Sequence, residues 1–481
     1  MRGLVSREYS ADASERRACG PDHTVNMRKA LSIGAVLLGA LLSVNAVSTA
    51  APNAVPTTAG IGQQARPLAP GDWPTYHKDN GRSGNATDLS PVSTLSTAWH
   101  ATLDGAVYGQ PLVIGTQVLA ATEHDTVYSL DAATGAVKWK TNLGAPQPKS
   151  GLPCGDIDPL GITSTMAYDQ ATGRVFALAE TNGGHHTLVG INGTTGAVEV
   201  RVAAEPPKGS PLAHQQRSAL TVQAGRVYIA YGGLLGDCSN YIGSVVSTTT
   251  DGKNPLSFAI PTTREGGIWA PGGAVLGGDR LYYSVGNSAA GGGAYDGGDS
   301  VTALSTATLG RLDFFAPSQW ASDNNSDLDL GSASPAMVGS FVVITGKRPT
   351  TYVLRANHLG GIGGQVKTAN TCSSFGGTSV VGNTVYLACH SGSAQAVTIA
   401  ADGTPTVTWT AKQAVFGSPT VGGGAVWIVS GSGVLFALDQ TTGAVRSQIS
   451  VGSVPHFVSP TLSGQRAYVG TMNGVVAVGG A

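Results

Sequence analysis

Short runs in which apolar and polar residues alternate recur along the chain in groups of four, and each group closes on the same kind of turn. The stretch GQPLVIGTQVLAATEHDTVYSLDAATGAVKWKTNLG (109–144) holds three apolar runs, a turn at Asp131–Gly135 and a fourth run ending near Trp139. A period of two marks a strand with one buried face, so four consecutive antiparallel strands are predicted. GSPTVGGGAVWIVSGSGVLFALDQTTGAVRSQI (417–449) repeats the pattern, and looser copies begin near Gly161, Gln216, Gly267, Gly331 and Phe375. The last copy, VSPTLSGQRAYVGTMNGVVAVGG (458–480), stops before its fourth strand.

Eight such units predict an all-β chain, an eight-bladed β-propeller of four-stranded blades. A blade without its outer strand leaves an unpaired edge. The isolated run LSTAWHATL (95–103) is expected to fill it near Val475–Val478, so that an N-terminal strand closes the ring. Residues 71–481 then read as a single propeller domain.

Composition narrows the class. The 481 residues carry a net charge of −1 with only 12% charged residues, which leaves no electrostatic footprint for nucleic acid or an anionic membrane. Few charges and 68 glycines suit an exported all-β protein. Met27-Arg28-Lys29, the apolar run Ala30–Leu42 and Ser48-Thr49-Ala50 read as a secretory signal over 27–50. Residues 1–26 do not belong to such a signal and read as a non-native upstream extension, and 51–70 as a flexible leader. The apolar run is short for a membrane anchor, so a secreted, extracellular protein is expected.

Of five cysteines, Cys19 falls in the upstream extension. The other four, Cys154, Cys238, Cys372 and Cys389, predict disulfides in an exported chain. Three connectivities are open; Cys372–Cys389 within one unit and Cys154–Cys238 between neighbouring units are favoured. No zinc spacing, haem-attachment motif, GxSxG, phosphate loop or HExxH occurs.

The candidate chemistry lies between Gly266 and Lys347, where the units depart most from the repeat. Trp269 opens the stretch, and two β-type runs end in turns carrying Asn287 and Lys347. Asp327 and Asp329 stand two residues apart, so in extended backbone both point the same way. A flat aromatic ring, an amide oxygen, paired carboxylates and a lysine suit a planar, anionic cofactor held with a metal ion. Each residue alone also has an ordinary structural role in packing, turns or solvent.

The ending TG-x-V-x-W with ALD before it resembles the pyrroloquinoline quinone (PQQ) repeat, from roughly Trp73 to the C-terminus. That repeat builds both quinoprotein dehydrogenases and non-catalytic scaffolds. Between Gln216 and Thr368 the chain resembles the quinoprotein alcohol dehydrogenases. The resemblance implies that Trp269 of GGIW is the platform under PQQ and Lys347 of ITGKRPTTYVL a residue near the quinone oxygens. It implies a Ca²⁺ site from Asn287 of LYYSVGN, Asp237 of YGGLLGDCSNYIG (where the family has Glu) and Asp329 of SDLDLG, with Asp327 as catalytic base. The chain lacks that family's vicinal cysteines and the Pro-Trp after the Gly-Asn turn. The expected activity is oxidation of an alcohol, polyol or sugar with PQQ and Ca²⁺, electrons leaving to an external acceptor. The alternative is a binding or scaffold propeller that has lost the cofactor.

Overall fold

A computed structural model of the chain describes residues 67–413 and 416–480. The upstream extension, the signal and all but the end of the leader lie outside the described residues. Seven blades of four antiparallel strands follow in chain order, three of them carrying a short fifth strand, with first strands at Leu112–Ile114, Ala167–Asp169, Thr221–Gln223, Val275–Gly277, Ala336–Val338, Ser379–Val381 and Thr420–Gly422. The eighth is built from Thr461–Ser463, Arg466–Thr471 and Gly474–Gly480, and its fourth strand is Leu95–Thr102. Register runs from Leu95 opposite Gly480 to Thr102 opposite Gly474. The first strand of the eighth blade also touches that of the first blade, which closes the ring.

The alternation of the sequence becomes a gradient across each blade. Thr126–Asp131, third in its blade, is buried almost throughout, whereas the fourth strand, Val137–Asn142, is mostly exposed. The Thr-Gly turn joining such strands explains the repeat's spelling. Asp131 Oδ1 accepts from the backbone N–H groups of Ala133 and Thr134, and Asp439 and Asn192 do the same in their turns. These side chains stabilise the bend locally. The glycine that follows has positive φ, 74° at Gly135, 76° at Gly196 and 71° at Gly443. Onto each glycine packs the tryptophan of the preceding blade's fourth strand: Trp99 on Gly135, Trp139 on Gly196 and Trp409 on Gly443, where a Cβ would fall 2.6–2.8 Å from the indole. The indole N–H then donates to the turn's backbone, for example Trp99 to Ala132 O at 3.1 Å. The motif is therefore a clamp between blades. Trp99 makes the same contact as Trp139, as the outer strand of the last blade should.

The segment before that strand, Asp72–Ala86, plugs the propeller axis. Tyr76, His77 and Arg82 are fully buried. Its backbone bonds to Val113, Tyr168, Leu276, Val380 and Val421 in five different blades. Asn85–Ala86 runs parallel to Val421–Gly422. The Arg82 guanidinium donates to Ala274 O, Thr75 Oγ1, Tyr76 O, Leu220 O and Thr221 Oγ1, adding the inner edge of the third blade and gripping that of the fourth again. Cys154–Cys238 and Cys372–Cys389 are both bridged, with Cα separations of 6.0 and 5.5 Å. Among the described residues no helix is long and apolar enough to cross a membrane.

Candidate functional site

At one end of the axis, insertions in blades four and five bring the predicted residues together. The strand Arg280–Val285 ends in Gly286-Asn287, which bonds back to the approach to Trp269: Gly286 N donates to Gly267 O at 2.9 Å and Gly266 N to Asn287 O at 2.6 Å. Trp269 Nε1 and Asp329 Oδ1 each lie 3.0 Å from where a Cβ on Gly286 would sit, so only glycine lets indole and carboxylate flank this turn. The helix Trp320–Asn325 precedes Asp327, and Arg348 Nε holds that helix through Asp323 Oδ1 at 2.8 Å. Lys347, one residue earlier, donates its backbone N–H to Asp329 O at 2.8 Å. The adjacent cations Lys347 and Arg348 thus fasten the turn after Phe341–Thr345 to both ends of the carboxylate segment.

The side chains form one network. Lys347 Nζ lies 2.7 Å from Asp327 Oδ1 and 2.8 Å from Asp329 Oδ2. Asn287 Nδ2 donates to Asp327 Oδ1 at 2.9 Å, and Asn287 N to Asp329 Oδ1 at 2.5 Å. Burial works against the Lys347 ammonium, but Asp329 and then Asp327 outweigh it and hold its pKa above the ordinary lysine value. Asp329 is 9% exposed and Asp327 57%, so the first is structural ground and the second faces solvent.

Asp237 stands apart from these bonds. Its Oδ1 accepts from Tyr241 Oη at 2.6 Å, and the Cys154–Cys238 bridge anchors its turn. Burial, and then the negative charge of Asp329, raise its pKa above the usual carboxylate range. Asp237 and Asp327 both occupy left-handed backbone, with φ of 50° and 54°, a conformation uncommon outside glycine that often marks functional turns.

The donor chemistry fits a hard cation: carboxylates and an amide, with the buried Asn287 Oδ1 left without a partner. The sphere is not closed, because Lys347 lies between Asp327 and Asp329. Among the described residues no three acidic, His or Cys side chains already meet at a metal position.

Trp269 is half-buried and flanked by two rings, Phe375 at 6.4 Å and Phe457 at 6.1 Å between centroids. His390 lies against Phe375 at 4.6 Å. Neither phenylalanine stands out in the raw sequence. A register signal does mark them: the residue four before the blade's first strand is Tyr108, Arg217, Phe375, Phe416 and Phe457 in five blades. Aligning the repeats on that strand, rather than on the Thr-Gly turn, puts these large side chains in one column.

The family model described as outer membrane protein assembly factor BamB, a PQQ-repeat model, matches residues 92–285 and 299–480. The chain belongs to this PQQ-repeat propeller family. It is 27% identical over 266 residues to the dehydrogenase subunit of the quinone alcohol dehydrogenase of Gluconobacter oxydans (strain 621H), a match covering 45% of this chain and 33% of that protein. The match thus spans about a third of that relative's length. Among solved structures, quinohemoprotein alcohol dehydrogenase ADHIIG of Pseudomonas putida HK5 is similar with a TM-score of 0.66 at 14% identity, over 86% of this chain and 81% of that one. BamB of Moraxella catarrhalis is similar with a TM-score of 0.56 at 15% identity, over 80% and 99%. At these identities the structural likeness establishes the fold.

Proposed function

We propose that the chain is an exported quinoprotein-type dehydrogenase that oxidises an alcohol, polyol or sugar with PQQ and Ca²⁺ and passes the electrons to an external acceptor. The observation carrying this reading is the meeting of Asn287, Asp327, Asp329 and Lys347 beside the half-buried indole of Trp269. The Gluconobacter relative, a quinone alcohol dehydrogenase subunit by name, supports the same direction.

Asn287 Oδ1, Asp329 and Asp237 would hold the cation, and Trp269 with Lys347 would seat the planar cofactor. Bound PQQ would supply the two-electron acceptor, with Ca²⁺ as a Lewis acid beside it. Asp327 is the general base. Asn287 Nδ2 and Lys347 Nζ both bind its Oδ1, which fixes the carboxylate and leaves Oδ2 for the substrate hydroxyl proton. The exposure of Asp327 lets a solvent-borne alcohol reach it, while Asp329 stays buried beneath.

Reconstitution with PQQ and Ca²⁺, followed by dye reduction across an alcohol panel, tests the reading. Asp327→Ala should lower turnover at least about 100-fold and leave PQQ binding nearly intact, whereas Trp269→Ala should weaken binding. No PQQ uptake by the wild type would refute the proposal. A second reading, a binding or scaffold propeller without cofactor, is favoured by one observation: Lys347 already stands between Asp327 and Asp329 as their counter-ion.

A further inference from the structure

We infer that Glu123, Asp125 and Glu180 form a buried proton-holding site behind the axial mouth, and that His186 and Glu205 link it to the surface as a relay for protons released there. The inference rests on the dehydrogenase reading for the source of those protons.

Oxidising an alcohol to a carbonyl breaks one C–H and one O–H bond. Two electrons pass to the cofactor and on to the external acceptor, and two protons must leave the mouth. That mouth is a depression open to solvent, with about 290 Å³ of empty space and Tyr76 and Thr163 in its wall. Thr163 Oγ1 donates to Glu123 Oε2 at 3.1 Å, and Gly161 N to the same oxygen at 2.7 Å. Glu123 and Asp125 share the turn after the second strand of blade one, and Glu180 lies near the end of the second strand of blade two. Glu180 Oε1 accepts from Gln216 N at 2.5 Å, and its Oε2 lies 3.7 Å from His186 Nε2, a gap suited to a bridging water. His186 Nδ1 lies 2.9 Å from Glu205 Oε2, and Glu205 is 35% exposed. Acids and a histidine thus run from the wall of the mouth to the surface.

The inner members are buried and under-bonded. Glu123, Asp125, Glu180 and His186 are all buried, Asp125 completely. Both Asp125 oxygens, Glu123 Oε1 and His186 Nε2 make no hydrogen bond of normal geometry, although buried polar atoms are nearly always bonded. Asp125 also has a φ of 54° where the seventh blade has Gly433 at 73°, so an aspartate occupies a glycine position of the repeat. Arg201 and Arg217 act on these acids only at a distance, since neither forms an ion pair with them among the described residues. The neighbouring Tyr231 donates its hydroxyl to Ala204 O, and His214 is engaged by Ser210 O and Ile242 N. Among the described residues no three of these side chains meet at a metal position. Buried carboxylates without a counter-cation take up protons instead. Burial pushes Glu123 up to about 8; burial, then Glu180 and Glu123, push Asp125 up to about 9. Burial opposes the His186 cation, but Glu180 and Glu205 outweigh it and lift its pKa to about 9. Protons therefore reside along the row at neutral pH, shared between neighbours.

Infrared spectra of the protein without cofactor test the site. At pH 7 the wild type should show the carbonyl stretch of protonated carboxylic acids, and Glu123→Gln and Asp125→Asn should each diminish it; bands unchanged by both substitutions would overturn the site. Turnover after loading with PQQ and Ca²⁺ tests the relay. Glu180→Gln should lower kcat about tenfold, leave KM for the alcohol unchanged and be rescued by added imidazole, which carries protons in place of the missing acid. An unchanged kcat, or a loss that imidazole does not rescue, would overturn the relay and leave the dehydrogenase reading standing. If the wild type takes up no PQQ, that reading and the relay fall together, and the infrared bands still decide the proton-holding site. Should Glu180→Gln fail to fold, Glu205→Gln at the exposed end takes its place with the same expectations.

Discussion

Two arginines on the same axis behave in opposite ways. Arg82, in the plug, is fully buried and spends its guanidinium on five acceptors drawn from the plug itself and from blades three and four. Arg217, at the mouth, is half-buried and touches only ring faces. Around Arg82 lies His77, whose Nδ1 is 2.8 Å from Thr378 O and whose Nε2 is 2.9 Å from Ser459 Oγ. A carbonyl can only accept, so Nδ1 carries the proton. Beside Trp269 stands the Gly286-Asn287 turn, whose buried Asn287 Oδ1 has no partner. A buried charge whose bonds are all made holds a structure together, whereas one with bonds left open is suited to a ligand.

The comparison breaks first, and hardest, at Arg82. Arg82→Met should cost about 3–5 kcal/mol in denaturant unfolding, because it strands buried acceptors from three parts of the chain at once. A loss below ~1 kcal/mol would mean that the plug is dispensable. Lys347→Met should cost about 2 kcal/mol at pH 7, discounted for the exposure of Asp327, because Asp327 and Asp329 then face each other without a counter-charge. Because Asp329 and Asp327 hold the Lys347 pKa above the ordinary lysine value of 10.5, its contribution is complete below that pH and fades above it, so the deficit should shrink in strong alkali; a pH-independent deficit would point to lost packing instead.

His77 gives the next effect. Burial holds its pKa down to about 3, while the unfolded chain protonates near the ordinary value of 6.5. Between those values the unfolded state binds more protons, so stability is full above pH 6.5 and falls as pH drops toward 3. His77→Gln should flatten this acid limb in urea midpoints measured from pH 7 to pH 4. The smallest effect belongs to Arg217→Gln, within about 0.5 kcal/mol of wild-type stability, since no hydrogen bond is lost. A large destabilisation there would erase the contrast with Arg82.

The blades were legible because their information is local. A period of two, an Asx-type turn and a glycine needing positive φ all lie within one repeat, and the truncated copy at 458–480 announces the edge that Leu95–Thr102 covers. Part of the candidate site was legible too, since Trp269, Asn287, Asp327, Asp329 and Lys347 carry the family's order. Three features were not. The polar run DWPTYHKDNGRSG carries no repeat signature, yet His77 and Arg82 within it are buried. The hydrogen bond from Tyr241 to Asp237 has no mark in the sequence. Phe375, Phe457 and Arg217 gave no signal until the repeats were aligned on their first strands.

The sequence by itself determined the number of blades, their strand patterning, the closing strand and the turn chemistry, because each follows from neighbours a few residues apart. Only the tertiary structure decided which end of the axis is filled and which is open. That choice rests on contacts such as His77 with Ser459, which only ring closure brings within bonding distance, and Lys347 with Asp327, made between an insertion and the blade that follows it. Burial and pairing of a charge are properties of such contacts rather than of the residue, which is why one arginine became a strut and the other rests only on ring faces.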